Sequence, residues 1–397
     1  MVSDRSGART IVLCALAAMA EGFDNQSMGV AAPRMAPALG LTREQLGPAF
    51  SASVFGLLIG AVLIGRIADR WGRKGALVAS LTVFGAFSIA TAFAPDLNSL
   101  LAMRVLAGLG LGGAMPNLVA LTAEASAAER RPMLVTLMTA GLSLGAAVAG
   151  LVAAALPWRG VFWVGGLTPL ALAGLAWAAL PESAAFQAVH GAEAGEGRSR
   201  TGVLEVLFGE GRALPTLLQW AASFCALLTL YLLLNWLPTL MALKGAGRTA
   251  ASLVSVLFNL GGAAGIAAGA VVLGRALKRV SFGLWFAALA VSLAGLALAP
   301  AELAALGPAA FVAGAFVSSA PLMLLGLAPG YYGVAIRGTG VGVLVAVGRS
   351  GAAVGPLAAS ALLGAGAGAD GVLLAMLPLT AIAAAATLAL LGCKPTA

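Results

Sequence analysis

Twelve apolar runs of roughly 20 residues or more follow one another along the chain, separated by short polar breaks. A run of that length forms a helix that crosses the hydrocarbon core of a bilayer. Only 10% of the residues are charged, whereas an ordinary soluble domain has about 25%. The sequence therefore predicts an all-α polytopic membrane protein with twelve transmembrane helices, and it excludes an ordinary soluble protein.

The predicted spans form two groups of six. The first six cover residues 10–39, 47–68, 75–95, 98–122, 133–156 and 160–181, and the last six cover residues 213–242, 249–274, 281–300, 303–328, 338–364 and 371–392. The longest polar stretch, 182–212, lies between the groups. We therefore predict an N-terminal six-helix bundle over 1–185, a cytoplasmic linker over 186–212 and a C-terminal six-helix bundle over 213–397.

A short internal similarity indicates that the two bundles are repeats. Residues 140–148 of span 5 (AGLSLGAAV) resemble residues 347–354 of span 11 (VGRSGAAV). Spans 5 and 11 correspond if the bundles are parallel repeats of six helices. Chance agreement in an Ala- and Gly-rich sequence is the alternative explanation.

The distribution of the basic residues predicts the orientation of the spans in the membrane. If the N-terminus is cytoplasmic, sixteen of the 23 bases lie in cytoplasmic segments, five lie outside, and Arg104 and Arg349 lie inside spans. Cytoplasmic loops of membrane proteins carry the excess of Lys and Arg. We therefore predict a multi-pass protein of the inner membrane with both termini in the cytoplasm.

Span 1 contains two carboxylates, Glu21 and Asp24, at a spacing that places them on one helical face. Ionisable residues inside a span are expensive and mark functional sites. At 1.5 Å per residue, Asp24 and Arg104 of span 4 both lie about 20 Å from the cytoplasmic side, so we expect them to meet. The alternatives are that an acid caps or kinks a helix near the interface, or that the segment belongs to a soluble protein.

Several chemistries are not expected from this sequence. The single histidine, His190, falls in the polar stretch, and the three cysteines (Cys14, Cys225 and Cys393) contain no C-x-x-C pair. We therefore expect no metal and no cofactor, and we interpret the cysteines as apolar packing residues. The net charge of +8 is scattered through short loops without interleaved aromatic residues, so nucleic acid is not an expected partner.

The loop between spans 2 and 3 reads GRIADRWGRK over residues 65–74. It resembles the signature loop of the major facilitator superfamily, G-x-x-x-D-R-x-G-R-K, in the same place among twelve spans. The corresponding second-half loop, residues 274–279 (GRALKR), keeps the bases but lacks the acid. The resemblance implies alternating access between two bundles, with gating residues Asp69, Arg70, Arg73, Glu124 and Arg337.

A finer resemblance is to the aromatic acid:proton symporters of this superfamily, especially the hydroxyphenylpropionate transporter type. The matching segments are EGFD (21–24), PNL (116–118), FWVGG (162–166), PES (181–183), NWLP (235–238) and RGTGVG (337–342). The resemblance implies proton-coupled uptake of an aromatic carboxylate, with Glu21, Asp24 and Arg104 in proton coupling. Burial favours the protonated carboxyl and a nearby arginine favours the charged one, so movement of Arg104 would capture or release the proton.

An aromatic carboxylate requires a cation, a flat apolar pocket and polar groups. We select Arg349 for the carboxylate, because a guanidinium binds it through two parallel hydrogen bonds. The ring contacts that we select are Phe23, Tyr231 and Trp236, with packing as the alternative, and the hydroxyl partners are Asn117 and Asn235.

Two other functions remain open at the level of sequence. One is proton symport of another organic anion, such as an aliphatic carboxylate or a sugar acid. The other is a non-transporting membrane receptor or sensor. An enzyme is not expected, because the spans contain no histidine, metal cluster or activated nucleophile. The expected partners are the aromatic acid, protons and the lipid bilayer, and the expected state is a monomer.

Overall fold

The computed structural model describes residues 4–127, 129–183, 186, 203–209, 211–273, 278–333 and 336–394, with side chains at all of these except 4–6, 69, 132 and 270. Every regular element in these ranges is a helix. The chain divides into two compact units, Met1–Glu196 and Gly197–Ala397. Most of the predicted linker lies outside the described residues, so its boundaries stay a prediction.

Unit 1 contains the first six spans. They are α1 (Asp4–Ala38), α2 (Arg43–Ala68), α3 (Arg70–Thr91), α4 (Leu97–Glu124), α5 (Arg131–Ala155) and α6 (Trp158–Ala179). The helices α2 and α3 belong to one helical run that is kinked at Gly72, whose φ is +84°. A glycine adopts this left-handed conformation without the penalty that a Cβ would bring.

Unit 2 begins with a short helix, α7 (Val203–Phe208). Spans 7 to 11 are α8 (Ala213–Leu243), α9 (Arg248–Leu273), α10 (Lys278–Leu298), α11 (Leu303–Leu327), which a 3₁₀ turn (Ala328–Tyr331) extends, and α12 (Arg337–Gly364). Span 12 consists of α13 (Ala369–Leu374) and α14 (Met376–Leu390). The predicted all-α membrane fold is thus confirmed.

The first span differs from the rest in composition. Eleven spans in the described part of the chain are long and apolar enough to cross a membrane, and α1 is the twelfth. Its 35 residues extend about 52 Å at 1.5 Å per residue, so its length suffices. The polar run from Glu21 to Ser27 lowers the mean hydropathy of α1. For this reason α1 is not among the eleven spans that length and composition identify.

Close backbone contacts hold spans 1 and 5 together, and spans 7 and 11 pack in the same way. A Cβ at Gly145 would lie 1.8 Å from the carbonyl oxygen of Met19, and a Cβ at Gly351 would lie 2.3 Å from that of Phe224. Such contacts exist only where small residues let two backbones approach. Gly145 and Gly351 are the residues that the internal similarity aligns.

A second pair of contacts extends this correspondence. A Cβ at Gly60 of α2 would lie 2.1 Å from the oxygen of Leu109 in α4, and a Cβ at Gly265 of α9 would lie 1.9 Å from that of Ala315 in α11. Gly60 thus corresponds to Gly265 and Leu109 to Ala315, a shift of 205 or 206 positions. Corresponding pairs of helices thus make matching contacts in the two units, as parallel duplication predicts.

Candidate functional site

The central feature of unit 1 is a buried ion pair between spans 1 and 4. Arg104 Nη1 donates to Asp24 Oδ1 at 3.1 Å, and Nη2 donates to Oδ2 at 2.8 Å. The Arg104 side chain is 1% exposed and that of Asp24 is fully buried. The meeting that the depth estimate predicts is therefore confirmed, in the bidentate geometry that gives arginine–carboxylate pairs their strength.

Two further side chains complete the surroundings of this pair. Ser88 of α3 donates its hydroxyl to Asp24 Oδ1 at 3.0 Å. The guanidinium carbon of Arg104 lies 5.9 Å from the ring centroid of Phe162 in α6, within the range of a cation–π contact. Sequence reasoning did not select Ser88 or Phe162 as a site residue, although Phe162 begins the matching segment FWVGG. A serine within an apolar span carries no signal of its own, and only the packing of α3 against α1 brings Ser88 to Asp24.

Close helix packing fixes the position of both partners. A Cβ at Gly22, which lies between the two acids of α1, would fall 1.9 Å from the carbonyl oxygen of Leu142 in α5. One turn after Arg104, a Cβ at Gly108 would fall 2.1 Å from the oxygen of Ser53 in α2. This packing excludes water from the pair. Removing one partner of a buried pair typically costs 3–5 kcal/mol, because the other charge stays buried alone.

Glu21 lies one turn before Asp24 and is 3% exposed. Two carboxyl groups and one guanidinium are therefore buried within the membrane-spanning part of unit 1. A charged carboxylate in this setting is costly unless it is paired or protonated. Such a site suits a group that binds and releases a proton.

The signature loop and the C-terminal end of α4 form a second polar cluster. Arg73 Nη1 lies 2.9 Å from Glu124 Oε1, and the same oxygen accepts the hydroxyl of Ser183 at 2.9 Å. Glu182 Oε1 accepts the backbone N–H of Lys74 at 3.1 Å. The structure thus brings together two of the predicted gating residues, Arg73 and Glu124, and adds Glu182 and Ser183.

The other predicted gating residues are Asp69, Arg70 and Arg337. Arg70 is exposed, and the side chain of Asp69 lies outside the described part of the structure. Arg337, at the start of α12, donates from Nε to the carbonyl oxygen of Tyr332 at 3.4 Å. Gating roles for these residues stay predictions.

Arg349 lies within α12 and is half-buried. Among the described residues, it makes no hydrogen bond and no ion pair. A guanidinium in a membrane-spanning helix with no anion beside it has its donors available for a ligand. This arrangement agrees with the choice of Arg349 as a carboxylate-binding residue, a role that stays a prediction.

The predicted amide partners are both buried, and each is engaged with its own helix. Asn117 Nδ2 donates to the oxygen of Gly113 at 2.7 Å, and Asn235 Nδ2 donates to that of Tyr231 at 2.8 Å. An asparagine amide has further donor and acceptor capacity. A contact with a substrate hydroxyl would use that capacity, and it stays a prediction for both residues.

The three predicted ring contacts differ in their surroundings. Phe23 is 6% exposed and lines a pocket of about 410 Å³ between α1, α5 and α6. Tyr231 is half-buried. Trp236 is fully buried, and its indole N–H donates to the oxygen of Pro356 at 3.0 Å. The packing alternative thus fits Trp236 best, since its polar atom already joins α8 to α12.

Among the described residues, no group of three or more His, Cys, Asp or Glu side chains could hold a metal ion.

Two units of membrane-spanning helices, with a buried ion pair between spans 1 and 4, define a polytopic helical membrane protein of the transporter type. Residues 14–310 match the family model described as Major Facilitator Superfamily. The chain belongs to the major facilitator superfamily.

Curated relatives agree with this membership. The chain is 42% identical over 381 residues to the 3-(3-hydroxy-phenyl)propionate transporter of Escherichia coli K12, covering 93% of this chain and 90% of the relative. It is 34% identical to the 4-hydroxybenzoate transporter of Pseudomonas putida (94% and 90%) and 36% identical to the gallate transporter of the same species (94% and 89%). The resemblance to the hydroxyphenylpropionate transporter type is confirmed.

Solved structures support the fold alone. A D-xylose–proton symporter superposes with a TM-score of 0.73 at 18% identity, covering 97% of both chains. A bacterial homologue of the human lysosomal transporter Spinster, inward-facing and unoccupied, superposes with a TM-score of 0.75 at 16% identity, also covering 97% of both chains.

Proposed function

We propose that this protein is a secondary active transporter that takes up aromatic carboxylates together with protons by alternating access. The names of its relatives support the substrate class, since they include transporters of 4-hydroxybenzoate, gallate and 3-(3-hydroxy-phenyl)propionate. The observation that carries the proton-coupled mechanism is the buried bidentate contact between Asp24 and Arg104.

The coupling step that we propose is the protonation of Asp24. While the carboxylate is charged, it binds both outer nitrogens of Arg104 and the hydroxyl of Ser88. A proton on Asp24 removes the charge that holds Arg104, so the guanidinium becomes free to move. Because α1 and α4 pack through glycines, a change at the pair is transmitted to the neighbouring helices α5 and α2.

Glu21 has a supporting role in this proposal. It is buried one turn from Asp24 on the same helix, so two negative charges would lie close together if both acids were ionised. Repulsion between like charges favours protonation of one of them. Glu21 therefore shares the proton with Asp24 or orders the pocket. Both acids form the proton site rather than the substrate site, since an anionic substrate is repelled by them.

For the substrate, we propose that Arg349 binds the carboxylate. Its support is a half-buried guanidinium without a hydrogen bond or ion pair among the described residues. Phe23 and Tyr231 are proposed ring contacts, and Asn117 and Asn235 are proposed partners of ring hydroxyls. Trp236 is the weakest of the proposed contacts, because it is fully buried.

We propose that the signature loop gates access. Arg73 and Glu124 join the loop between α2 and α3 to the end of α4, and Asp69, Arg70 and Arg337 are proposed to act with them. The proposal also includes a monomer in the inner membrane, with both termini in the cytoplasm.

Uptake by proteoliposomes tests the function. Purified protein is reconstituted, and the accumulation of benzoate, 4-hydroxybenzoate, 3-(3-hydroxyphenyl)propionate and a sugar acid is measured with and without an inward proton gradient. We expect gradient-dependent accumulation of an aromatic acid that other aromatic acids inhibit. Accumulation of the sugar acid instead would favour another organic anion, and binding without accumulation would favour a receptor.

A further inference from the structure

At one end of the helices, unit 1 has acidic residues that unit 2 lacks at the corresponding positions. This difference indicates a ligand-binding site in unit 2. In unit 1, the segment after the kink contacts two carboxylates of the same chain. Arg73 pairs with Glu124, which ends α4. The backbone of Lys74 donates to Glu182, which follows α6. One carboxylate thus pairs with the guanidinium of Arg73, and the other binds the backbone of Lys74, whose ammonium lies 5.4 Å from the ring centroid of Trp177.

The repeat correspondence locates the same positions in unit 2. The shift of 205 that relates Gly60 to Gly265 relates Arg73 and Lys74 to Lys278 and Arg279. The segment Ala94-Pro95 and its counterpart Ala299-Pro300 show the same shift beyond this point. Unit 2 therefore keeps both bases at the equivalent place.

Unit 2 does not have acidic residues at the positions that correspond to Glu124 and Glu182. Span 4 begins at Leu97 and span 10 at Leu303, so Glu124 corresponds to Gly330. Spans 6 and 12 each have 22 residues, Trp158–Ala179 and Ala369–Leu390, so Glu182 corresponds to Cys393. A glycine and a thiol thus stand where unit 1 has its two carboxylates.

A pocket of about 530 Å³ occupies this place in unit 2. Lys278, Arg279, Gly330 and Cys393 all line it, and none of its lining residues is acidic. Within the described residues, neither base makes a hydrogen bond or an ion pair. The pocket therefore presents two cations to a space in which unit 1 holds carboxylates.

We infer that this pocket binds the phosphate of an anionic phospholipid, which supplies from outside the negative charge that the chain itself supplies in unit 1. The inference does not depend on what the protein transports. Arginine and lysine are the side chains that bind phosphate oxygens, arginine through paired hydrogen bonds.

The position of the pocket favours a lipid over a soluble anion. It lies where α9, α11 and α14 end and α10 begins, the end that the predicted orientation places at the cytoplasmic surface. Basic pockets between helices at this surface bind anionic headgroups. Leu273, Leu327 and Leu391 also line it, and they offer an apolar wall to the start of an acyl chain.

Native mass spectrometry of the purified full-length protein tests the inference, with phosphatidylglycerol as the probe. The first variant is Lys278→Ala/Arg279→Ala, and its matched control is Arg130→Ala/Arg131→Ala, which removes two exposed bases of unit 1. The second variant is Gly330→Glu, which restores an acid at the position of Glu124. Its control is Gly330→Gln, and a Cβ at Gly330 meets open space, so the backbone accepts a side chain there.

We expect removal of both bases to weaken phosphatidylglycerol binding roughly 30-fold, and Gly330→Glu to weaken it as well. Gly330→Gln and the Arg130/Arg131 control should bind as the wild type does. Wild-type binding by the double-alanine variant, or equal binding by Gly330→Glu and Gly330→Gln, would overturn the inference. Glycerol 3-phosphate binding as tightly as the lipid would assign the pocket to a free anion and would also overturn it.

Discussion

Arg104 of span 4 holds both carboxylate oxygens of Asp24 in span 1, at 3.1 and 2.8 Å, with neither side chain more than 1% exposed. Eighty residues separate the two partners in sequence. An ion pair in such an enclosed place contributes little net stability compared with apolar packing. Its presence is therefore better explained by a function that changes the charge of one partner.

The first prediction concerns Ser88, the third partner of Asp24. In Ser88→Ala, the carboxylate loses the hydroxyl that donates to Oδ1, so its protonated form becomes relatively more favourable. We expect the pH profile of uptake to move toward higher pH, while the amount of folded protein stays unchanged. Uptake rates between pH 5 and 8 measure the shift.

The matched control for Ser88 is Ser292→Ala in unit 2. Ser292 is also buried, but its hydroxyl bonds the carbonyl oxygen of Leu289 in its own helix. Its pH profile should equal that of the wild type. An unchanged profile in Ser88→Ala would remove Ser88 from the coupling mechanism.

The second prediction concerns the contact between spans 1 and 5. A leucine at Gly145 would collide with the backbone of Met19, so Gly145→Leu should destabilise unit 1 by about 3 kcal/mol and lower the thermal midpoint of the purified protein. Gly174→Leu in α6 is the control, because a Cβ there meets open space. Equal midpoints for the two variants would contradict the packing described for α1 and α5.

The third prediction concerns Arg349. Arg349→Lys keeps the charge but loses the paired donors, so KM for an aromatic carboxylate should rise roughly tenfold while the maximal rate changes little. Arg349→Gln should raise KM further. Arg248→Lys, at an exposed position at the start of α9, is the control. A normal KM in both Arg349 variants would exclude a carboxylate contact.

The fourth prediction concerns the loop cluster. Glu124→Gln removes the ion pair with Arg73 and should slow uptake, since the loop is no longer held to the end of α4. The exchange Arg73→Glu/Glu124→Arg should recover part of the rate, because it restores opposite charges at the same distance. Initial uptake rates, normalised to the amount of protein in the membrane, measure both. No recovery in the exchange variant would show that the sequence of the loop matters more than the pair.

Parts of this structure follow from the sequence and parts do not. The spans follow from the length of the apolar runs, and the meeting of Asp24 and Arg104 follows from their equal depth. The contact of Ser88 with Asp24 does not follow, because it depends on how α3 rotates against α1. The anion site proposed at Lys278 and Arg279 does not follow from the sequence either. It is recognised only when the contacts of the corresponding bases in the two units are compared.

The aromatic residues show the limit of residue type as a guide. Trp236 has the size and the polar atom of a ligand contact, and the sequence predicts it as one. In the structure it is fully buried, and its N–H is bound to Pro356. Burial and the direction of a side chain depend on tertiary packing, which composition does not specify.

Asp24 is the residue on which the proposed proton coupling depends most. Uptake and counterflow exchange of an aromatic carboxylate are measured in the same proteoliposomes for the wild type and Asp24→Asn, whose amide cannot carry the charge but fills the same volume. We expect Asp24→Asn to abolish accumulation driven by a proton gradient, while counterflow exchange survives in part. Equal loss of both activities, or proton-driven accumulation at the wild-type level, would contradict this coupling role.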